Sequence, residues 1–217
     1  MITVLTPSIG TKYLSRAVAS VRNQTTPVRH VIVADGKQHL KAVLSEATKG
    51  WDGKHPEPEV CWIPDNTGRD KWNGHKIYAH YSQLLDTDYL CLLDEDNTFE
   101  PEHCESLLER AKKYGFAWSY RNVFLGDNYI GKDVRESIGN QTFVGYNLVD
   151  TSCWMFARPN FHLIQAILTQ WSGDRDLTNR VIHEYEGIFY PACTGQHTLN
   201  YYAPQDKSDF YRRICED

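Results

Sequence analysis

The stretch YLCLLDEDNTFEPEH, Tyr89 to His103, decides the fold. Its apolar run from Leu90 to Leu93 reads as a buried strand, and the run ends in three acids, Asp94, Glu95 and Asp96. Residues two apart in a strand point to the same side. Asp94 and Asp96 can therefore face one point, with Glu95 turned away. Two carboxylates at one point need a cation or a shared proton, and oxygen ligands suit Mg²⁺, Mn²⁺ or Ca²⁺. A solvated turn is the competing reading. An EF-hand is disfavoured, because Phe99 stands where its loop needs Gly and a strand precedes the acids instead of a helix. Beyond the acids, PEHCESLLERAKKYG reads as a helix with Pro101 in its first turn, Lys112 and Lys113 in its last, and Gly115 after it.

Working towards the N-terminus, the same unit repeats. ITVL stops at Thr6-Pro7-Ser8, and Leu14, Ala17, Val18 and Val21 follow at helical spacing. VRHVIVADG is a strand ending at Asp35-Gly36, and HLKAVLSEATKG is a helix closed by Gly50. VCWIPDNTG is a third strand and turn, with Trp62 expected in the core, and KWNGHKIYAHYSQLL a third helix. Four alternations in 115 residues predict an α/β fold with a mostly parallel, Rossmann-like sheet and helices on both faces. Ligands of such sheets bind beyond the C-terminal strand ends. Thr6-Pro7, Asp35-Gly36, Asp65-Asn66 and Asp94-Glu95-Asp96 all fall on that edge.

The second half is less regular. FAWSYRNVFL and FVGYNLVDTSCWMFAR read as strands, the latter with a turn at Asp150-Thr151. NFHLIQAILTQW and DRDLTNRVIHEYE read as helices. IFYPACTGQHTLNYY reads as extended, before a short terminal helix. No repeat or linker interrupts the chain, so a single domain over 1–217 is expected.

The composition narrows the function. With 217 residues, 41% of them apolar, the chain can bury a sizeable core. Six scattered cysteines form no CxxC pair, which signals neither a zinc site nor a disulfide framework. No apolar run is long enough to span a bilayer, and the first residues do not read as a signal peptide. A cytoplasmic protein is expected, with a peripheral position at a membrane left open. Residues 1–50 carry seven Lys/Arg against two Asp/Glu, and residues 51–110 carry five against fourteen. The first segment tolerates phosphates and the second a divalent cation. No Lys/Arg run marks a polyanion track, so nucleic acid is not favoured.

Together these motifs resemble the inverting glycosyltransferases of family 2, which have the GT-A fold. Pro7, Leu14, Ser20, Val21, Gln24 and Thr25 match the family's opening strand and helix, and VIVADG its second strand. Asn66, Gly68, Asn73 and Gly74 are similar to its N-x-G…N-x-G segment, and LLDEDNTFEPEH to its D-x-D motif. The resemblance is strong over residues 2–110 and looser beyond. It implies a nucleotide-binding half over 1–115 and an acceptor-binding half over 116–217. The implied donor is a nucleoside-diphosphate sugar; a UDP-sugar is expected, although the residues do not name the base. Thr6, Pro7, Asp35, Asn66, Gly68, Arg69, Lys71, Asn73, Asp94 and Glu95 would surround the donor, with Asp35 at the base. Asp96 and Asp94, with His197 as a third ligand, would hold Mn²⁺ or Mg²⁺.

The family's catalytic base lies in a pattern like E-D-x-D-L. SGDRDL aligns Asp174 with it, leaves Gly173 where Glu is usual, and makes Asp176 the fallback. Asp at a helix start is also an ordinary cap. Asp150, Thr151 and Trp154 would face the acceptor, a glycan, a lipid-linked glycan or another hydroxyl compound. Trp72 is a second candidate platform. The alternatives are a sugar-phosphate nucleotidyltransferase, which usually opens with a Gly-rich loop where this chain has only Gly10, and a non-catalytic nucleotide-sugar or cation-binding module.

Overall fold

The computed structural model describes residues 1–69, 72–169 and 172–216. Four strands form its parallel heart: β1 (Ile2–Ser8), β2 (Arg29–Ala34), β3 (Glu59–Trp62) and β4 (Tyr89–Leu92). They lie in the order β3-β2-β1-β4, with Leu5 beside Val31 on one side and Leu92 on the other. Every residue of β1 is buried, because strands flank it and helices cover both faces. The helices α1 (Leu14–Arg22), α2 (Leu40–Ala47), α3 (His75–Leu84) and α4 (His103–Tyr114) make the connections. Leu14, Ala17, Val18 and Val21 are the buried residues of α1, as their spacing predicts. Gly115 ends α4 in the left-handed region, φ 82°, with its N–H on the Ala111 carbonyl at 2.8 Å.

The chain builds outward from β1 to β3 and then returns to lay β4 on the other side of β1. That reversal is the topological switch point of the sheet, where a crevice opens beyond the strand ends.

The second half extends the sheet antiparallel. β8 (Trp154–Ala157) pairs with β4 and with β6 (Phe116–Leu125), and β6 pairs with β7 (Asn128–Asp133), which meets β10 (Cys215–Glu216). The long β9 (Cys193–Ala203) runs parallel to β6 and pairs with the short β5 (Thr98–Phe99). Two further helices are α5 (Gly173–Phe189), with a kink at Tyr185, and α6 (Ser208–Ile214).

Several local expectations change. Residues 143–150 form no strand; a 3₁₀ turn at Thr151–Cys153 leads into β8. Arg158–Leu168 winds as a 3₁₀ helix with Pro159 at its start, not as an α-helix. α5 continues to Phe189, past the point where extended chain was expected, because Phe189 packs into the core against Trp118 at 5.1 Å. The β6–β7 hairpin turns at Gly126-Asp127, with Leu125 opposite Asn128 and φ 62° at Gly126. A two-residue Gly-Asp connection is a hairpin signal legible in the sequence. Trp62 is 43% exposed on the edge strand β3, with Lys37 over its ring, so it is not a core residue.

Candidate active site

A cleft of about 560 Å³ opens at the switch point. Pro7, Ser8 and Ile9 leave β1 on one side of it, and Asp94, Glu95, Asp96 and Asn97 leave β4 on the other. Asn66, Gly68, Asn73, Gly74 and His75 form a third wall.

Two glycines let that wall close. A Cβ on Gly68 would lie 2.4 Å from the Asn73 carbonyl oxygen and 2.8 Å from Asp35 Oδ2. A Cβ on Gly74 would lie 2.6 Å from Pro7 Cγ. Asn73 between them sits at φ 47°, which Asn tolerates. The spacing of these residues thus has a steric cause. Asp35 secures the wall: its Oδ1 accepts the Thr67 N–H at 2.6 Å and the Thr67 hydroxyl at 3.0 Å, and its Oδ2 accepts the Gly68 N–H at 2.8 Å. Asn66 also lines the cleft and keeps a buried Oδ1 without a partner among the described residues. His75, the first residue of α3, lines it too. Its buried Nδ1 has no partner among the described residues, and burial takes its pKa down to about 4.

The acidic turn divides its labour. Asp94 receives the Tyr78 hydroxyl on Oδ1 at 2.8 Å, and the Ser152 hydroxyl lies 3.4 Å from Oδ2. Burial, and then the charges of Asp96 and Asp150, push Asp94 up to about 8 against those hydrogen bonds. Glu95 lines the cleft as well, because β4 ends at Leu92 and the acids fall in a turn, not in the extended strand that would point it away. Its carboxylate accepts the Ser8 hydroxyl at 2.5 Å and the Thr11 N–H at 3.2 Å, which ties the turn to the loop after β1. Asp96 is exposed to the cleft, and desolvation with repulsion from Glu95 and Asp150 raises its pKa. Its carbonyl is gripped by Arg16 of α1 at 2.6 Å, and the Arg16 guanidinium lies 3.4 Å from the Tyr202 ring centroid.

Asp174, in the first turn of α5, lines the same cleft. Burial first, and then Asp150, raise its pKa to about 6, against the Arg175 N–H on its Oδ1 at 2.9 Å. The residue before it must be small, since a Cβ on Gly173 would lie 2.1 Å from the Ile167 carbonyl oxygen. Asp176 does not line the cleft and accepts the Thr169 hydroxyl instead.

Beneath the cleft lies a residue that sequence reasoning missed. Arg121 of β6 is 2% exposed and pairs with Asp133 at 2.8 Å, Asp150 at 2.7 Å and Glu136 at 2.5 Å. Burial works against its charge, but the three carboxylates outweigh burial and hold its pKa well above the usual value. Nothing in FAWSYRNVFL distinguishes a buried arginine from a solvated one. Asp150 spends Oδ2 on Arg121 and Oδ1 on the Ser152 N–H. Thr151 lines the cleft.

Other expected residues lie elsewhere. Thr6 is fully buried, with Oγ1 2.9 Å from His30 Nε2, because both faces of β1 are covered. Trp154 is also fully buried, stacked on Phe156 at 5.3 Å with its ring N–H on the Val149 carbonyl, so it offers an acceptor no ring face. His197 does not line the cleft; its ring packs on Tyr120 at 5.1 Å, with Nε2 3.3 Å from the Asp133 carbonyl. Arg69 is exposed and outside the lining, and Lys71 lies outside the described residues. Trp72 is half-buried, with Lys76 over its ring.

Carboxylates dominate the lining: among the described residues, Asp35, Asp94, Glu95, Asp96, Glu136, Asp150 and Asp174 stand against Arg121, Arg175 and Lys207 as cations. Among the described residues no group of three or more His, Cys, Asp or Glu is placed to hold a metal ion. Asp94 and Asp96 offer a hard cation two carboxylates. That suits Mg²⁺-type binding, in which one or two carboxylates are completed by water and substrate phosphate.

A family model described as Glycosyl transferase family 2 matches residues 3–184. Among solved structures, S. aureus TarS 1–349 superposes with a TM-score of 0.61 at 15% identity, over 98% of this chain and 64% of that one. The same fragment in complex with UDP-GlcNAc gives 0.60 at 12%, over 94% and 58%. S. aureus TarS itself gives 0.59 at 14%, over 97% and 38%. At these identities the likeness is one of fold. The chain spans less than two thirds of the length of these proteins. No curated protein matches the sequence.

Proposed function

The chain belongs to glycosyl transferase family 2, and from that premise we propose that it moves a sugar from a nucleoside-diphosphate donor to an acceptor hydroxyl, with inversion and with a divalent cation. The observation that carries this reading is a single cleft holding both the Asp94–Asp96 pair and Asp174 with its raised pKa. The donor half is residues 1–115 and the acceptor half 116–217.

The donor nucleotide lies along the wall built by Asp35, Asn66 and Gly68, with its diphosphate towards Asp94 and Asp96. A cleft lined by so many carboxylates repels a diphosphate, which is the physical reason for a cation. Mn²⁺ or Mg²⁺ held by Asp96 and Asp94 would supply Lewis-acid stabilisation of the leaving diphosphate. Asp174 takes the proton of the acceptor hydroxyl as its oxygen bonds to the anomeric carbon and the bond to the diphosphate breaks. A carboxylate near pKa 6 is well matched to that task, since it is largely ionised at neutral pH yet more basic than an ordinary Asp. The complex of the TarS fragment with UDP-GlcNAc supports a UDP-sugar as donor here. The acceptor is a glycan, a lipid-linked glycan or another hydroxyl compound. No helix among the described residues is long and apolar enough to cross a membrane.

The test is thermal denaturation with UDP, GDP, dTDP and CDP, each with and without Mn²⁺. A ligand at 100 times its dissociation constant adds about 2.7 kcal/mol. Stabilisation by UDP that requires Mn²⁺ and disappears in Asp96→Ala supports the reading, and a donor screen by UDP release follows. No shift with any nucleotide sinks it.

A further inference from the structure

The cluster around Arg121 is costly for a purely structural device. Replacing a buried ion cluster by apolar residues is often neutral or stabilising. This cluster also does not close on itself. Asp133 is satisfied from behind, by the N–H groups of Arg135, Glu136 and Ser137 at 2.8 to 3.0 Å. The other two partners, Glu136 and Asp150, reach the cleft.

Each of those two continues towards a different part of the site. Asp150 receives the Ser152 N–H at 3.0 Å, and the Ser152 hydroxyl meets the Asp94 N–H at 3.0 Å. That path ends on the acidic turn. Glu136 receives the Tyr146 hydroxyl at 3.0 Å, and the Tyr146 ring carries the Arg175 guanidinium 3.5 Å from its centroid. Arg175 is the residue whose N–H holds the Asp174 carboxylate. A second strut runs beside it: the Val149 N–H donates to Thr178 Oγ1 at 2.9 Å, and that hydroxyl donates to the Asp174 carbonyl at 2.8 Å. The two functional walls are thus joined through one guanidinium by consecutive polar contacts.

We propose that Arg121 is a positioning residue of the transfer: by orienting Asp150 and Glu136 from beneath the cleft, it fixes the acidic turn and the base-bearing start of α5 relative to each other. The inference rests on the proposed transferase function. A base must meet the acceptor proton within a few tenths of an ångström while the diphosphate is held opposite. Two walls on separate elements need a common anchor for that. A guanidinium suits the task where an ammonium does not, because its planar fork serves three carboxylates in fixed directions. The charges acting on Asp174 are Asp150, Arg175 and Arg121, so loosening the anchor also alters the proton affinity of the base.

The experiment compares wild type, Arg121→Lys and Tyr146→Phe. Tyr146→Phe removes one hydroxyl from a half-buried side chain and guards against the folding risk at Arg121. UDP release from UDP-GlcNAc, UDP-glucose and UDP-galactose is measured with water as acceptor from pH 5 to 8. UDP·Mn²⁺ affinity is measured by calorimetry, and melting temperature alongside. We expect kcat of Tyr146→Phe to fall about 10–100-fold, since a misplacement of about 1 Å caused at a distance from the chemistry can cost on the order of 100-fold. UDP·Mn²⁺ affinity and melting temperature should stay at wild-type values, and the acid limb of kcat should move to higher pH in both variants. Unchanged kcat and limb in Tyr146→Phe overturn the proposal while leaving the transferase reading intact. So does a fall in kcat that merely tracks melting temperature and affinity. A wild type that turns over none of the three donors while binding UDP fails the transferase reading itself, and the positioning role with it.

Discussion

Gly173 packs so closely on Ile167 that a Cβ would lie 2.1 Å from the Ile167 carbonyl oxygen. The residue that the family's usual base motif would place there, Glu, therefore does not fit this chain. The neighbouring Asp174 keeps its place at the cleft because the helix start can sit hard against the end of the preceding 3₁₀ segment. Gly173→Glu should thus damage the protein although it restores the common motif. We expect a loss of about 1–3 kcal/mol or more from overpacking, read as a lower urea midpoint, together with reduced turnover. Wild-type stability in this variant would contradict the packing.

Asp174→Asn should abolish transfer and leave UDP·Mn²⁺ binding intact, because the residue works on the acceptor side. Loss of both would mark a structural role. In the wild type, kcat should rise with pH through about 6, where the base ionises. Stability runs the other way. The folded pKa lies above the unfolded value, so the folded protein holds the proton longer, and stability falls as pH rises from about 4 to about 6. Above that window Asp174→Asn should be the more stable protein, by on the order of 1–2 kcal/mol after allowance for solvent screening. Denaturation at pH 4 and pH 7.5 checks the sign.

Asp96→Ala and Asp94→Asn should each lose Mn²⁺-dependent stabilisation by UDP, about 2.7 kcal/mol at 100 times the wild-type dissociation constant. Glu95→Gln should behave differently. Its carboxylate holds the Ser8–Thr11 loop, so the variant should lower melting temperature while retaining metal dependence. Equal effects at all three positions would argue against this division.

Gly68→Ala should displace the wall over the nucleotide, since its Cβ meets both the Asn73 carbonyl and Asp35. We expect a stability cost of about 1–3 kcal/mol and weaker UDP binding by calorimetry. Unaltered UDP affinity would detach this wall from the donor.

Arg121→Met should destabilise the protein by about 3–5 kcal/mol, because it leaves three buried carboxylates without a counter-charge. Chemical denaturation measures this directly. A change within 1 kcal/mol would mean that the carboxylates find protons or water at little cost.

The sequence alone determined the alternation of strands and helices through residue 115, the helix stop at Gly115, and the gathering of Pro7, Asp35, Asn66 and Asp94–Asp96 on one edge. Those features are local: hydrophobic period, caps and turn residues act within a few positions, and parallel strands necessarily bring their C-terminal ends together. The tertiary structure decided the rest. Thr6 faces inward to His30, Trp154 lies between sheet and helix, and His197 packs on Tyr120, because strand register and layer set which way a side chain points. In a strand covered on both faces, alternation carries no signal for that direction. Arg121 is the clearest case. Its partners lie 12, 15 and 29 residues away, two of them at the end of β7 and in the turn after it, and the third before β8. Only the packed chain brings those four charges together, and burial, by removing water as a competing partner, makes their geometry specific.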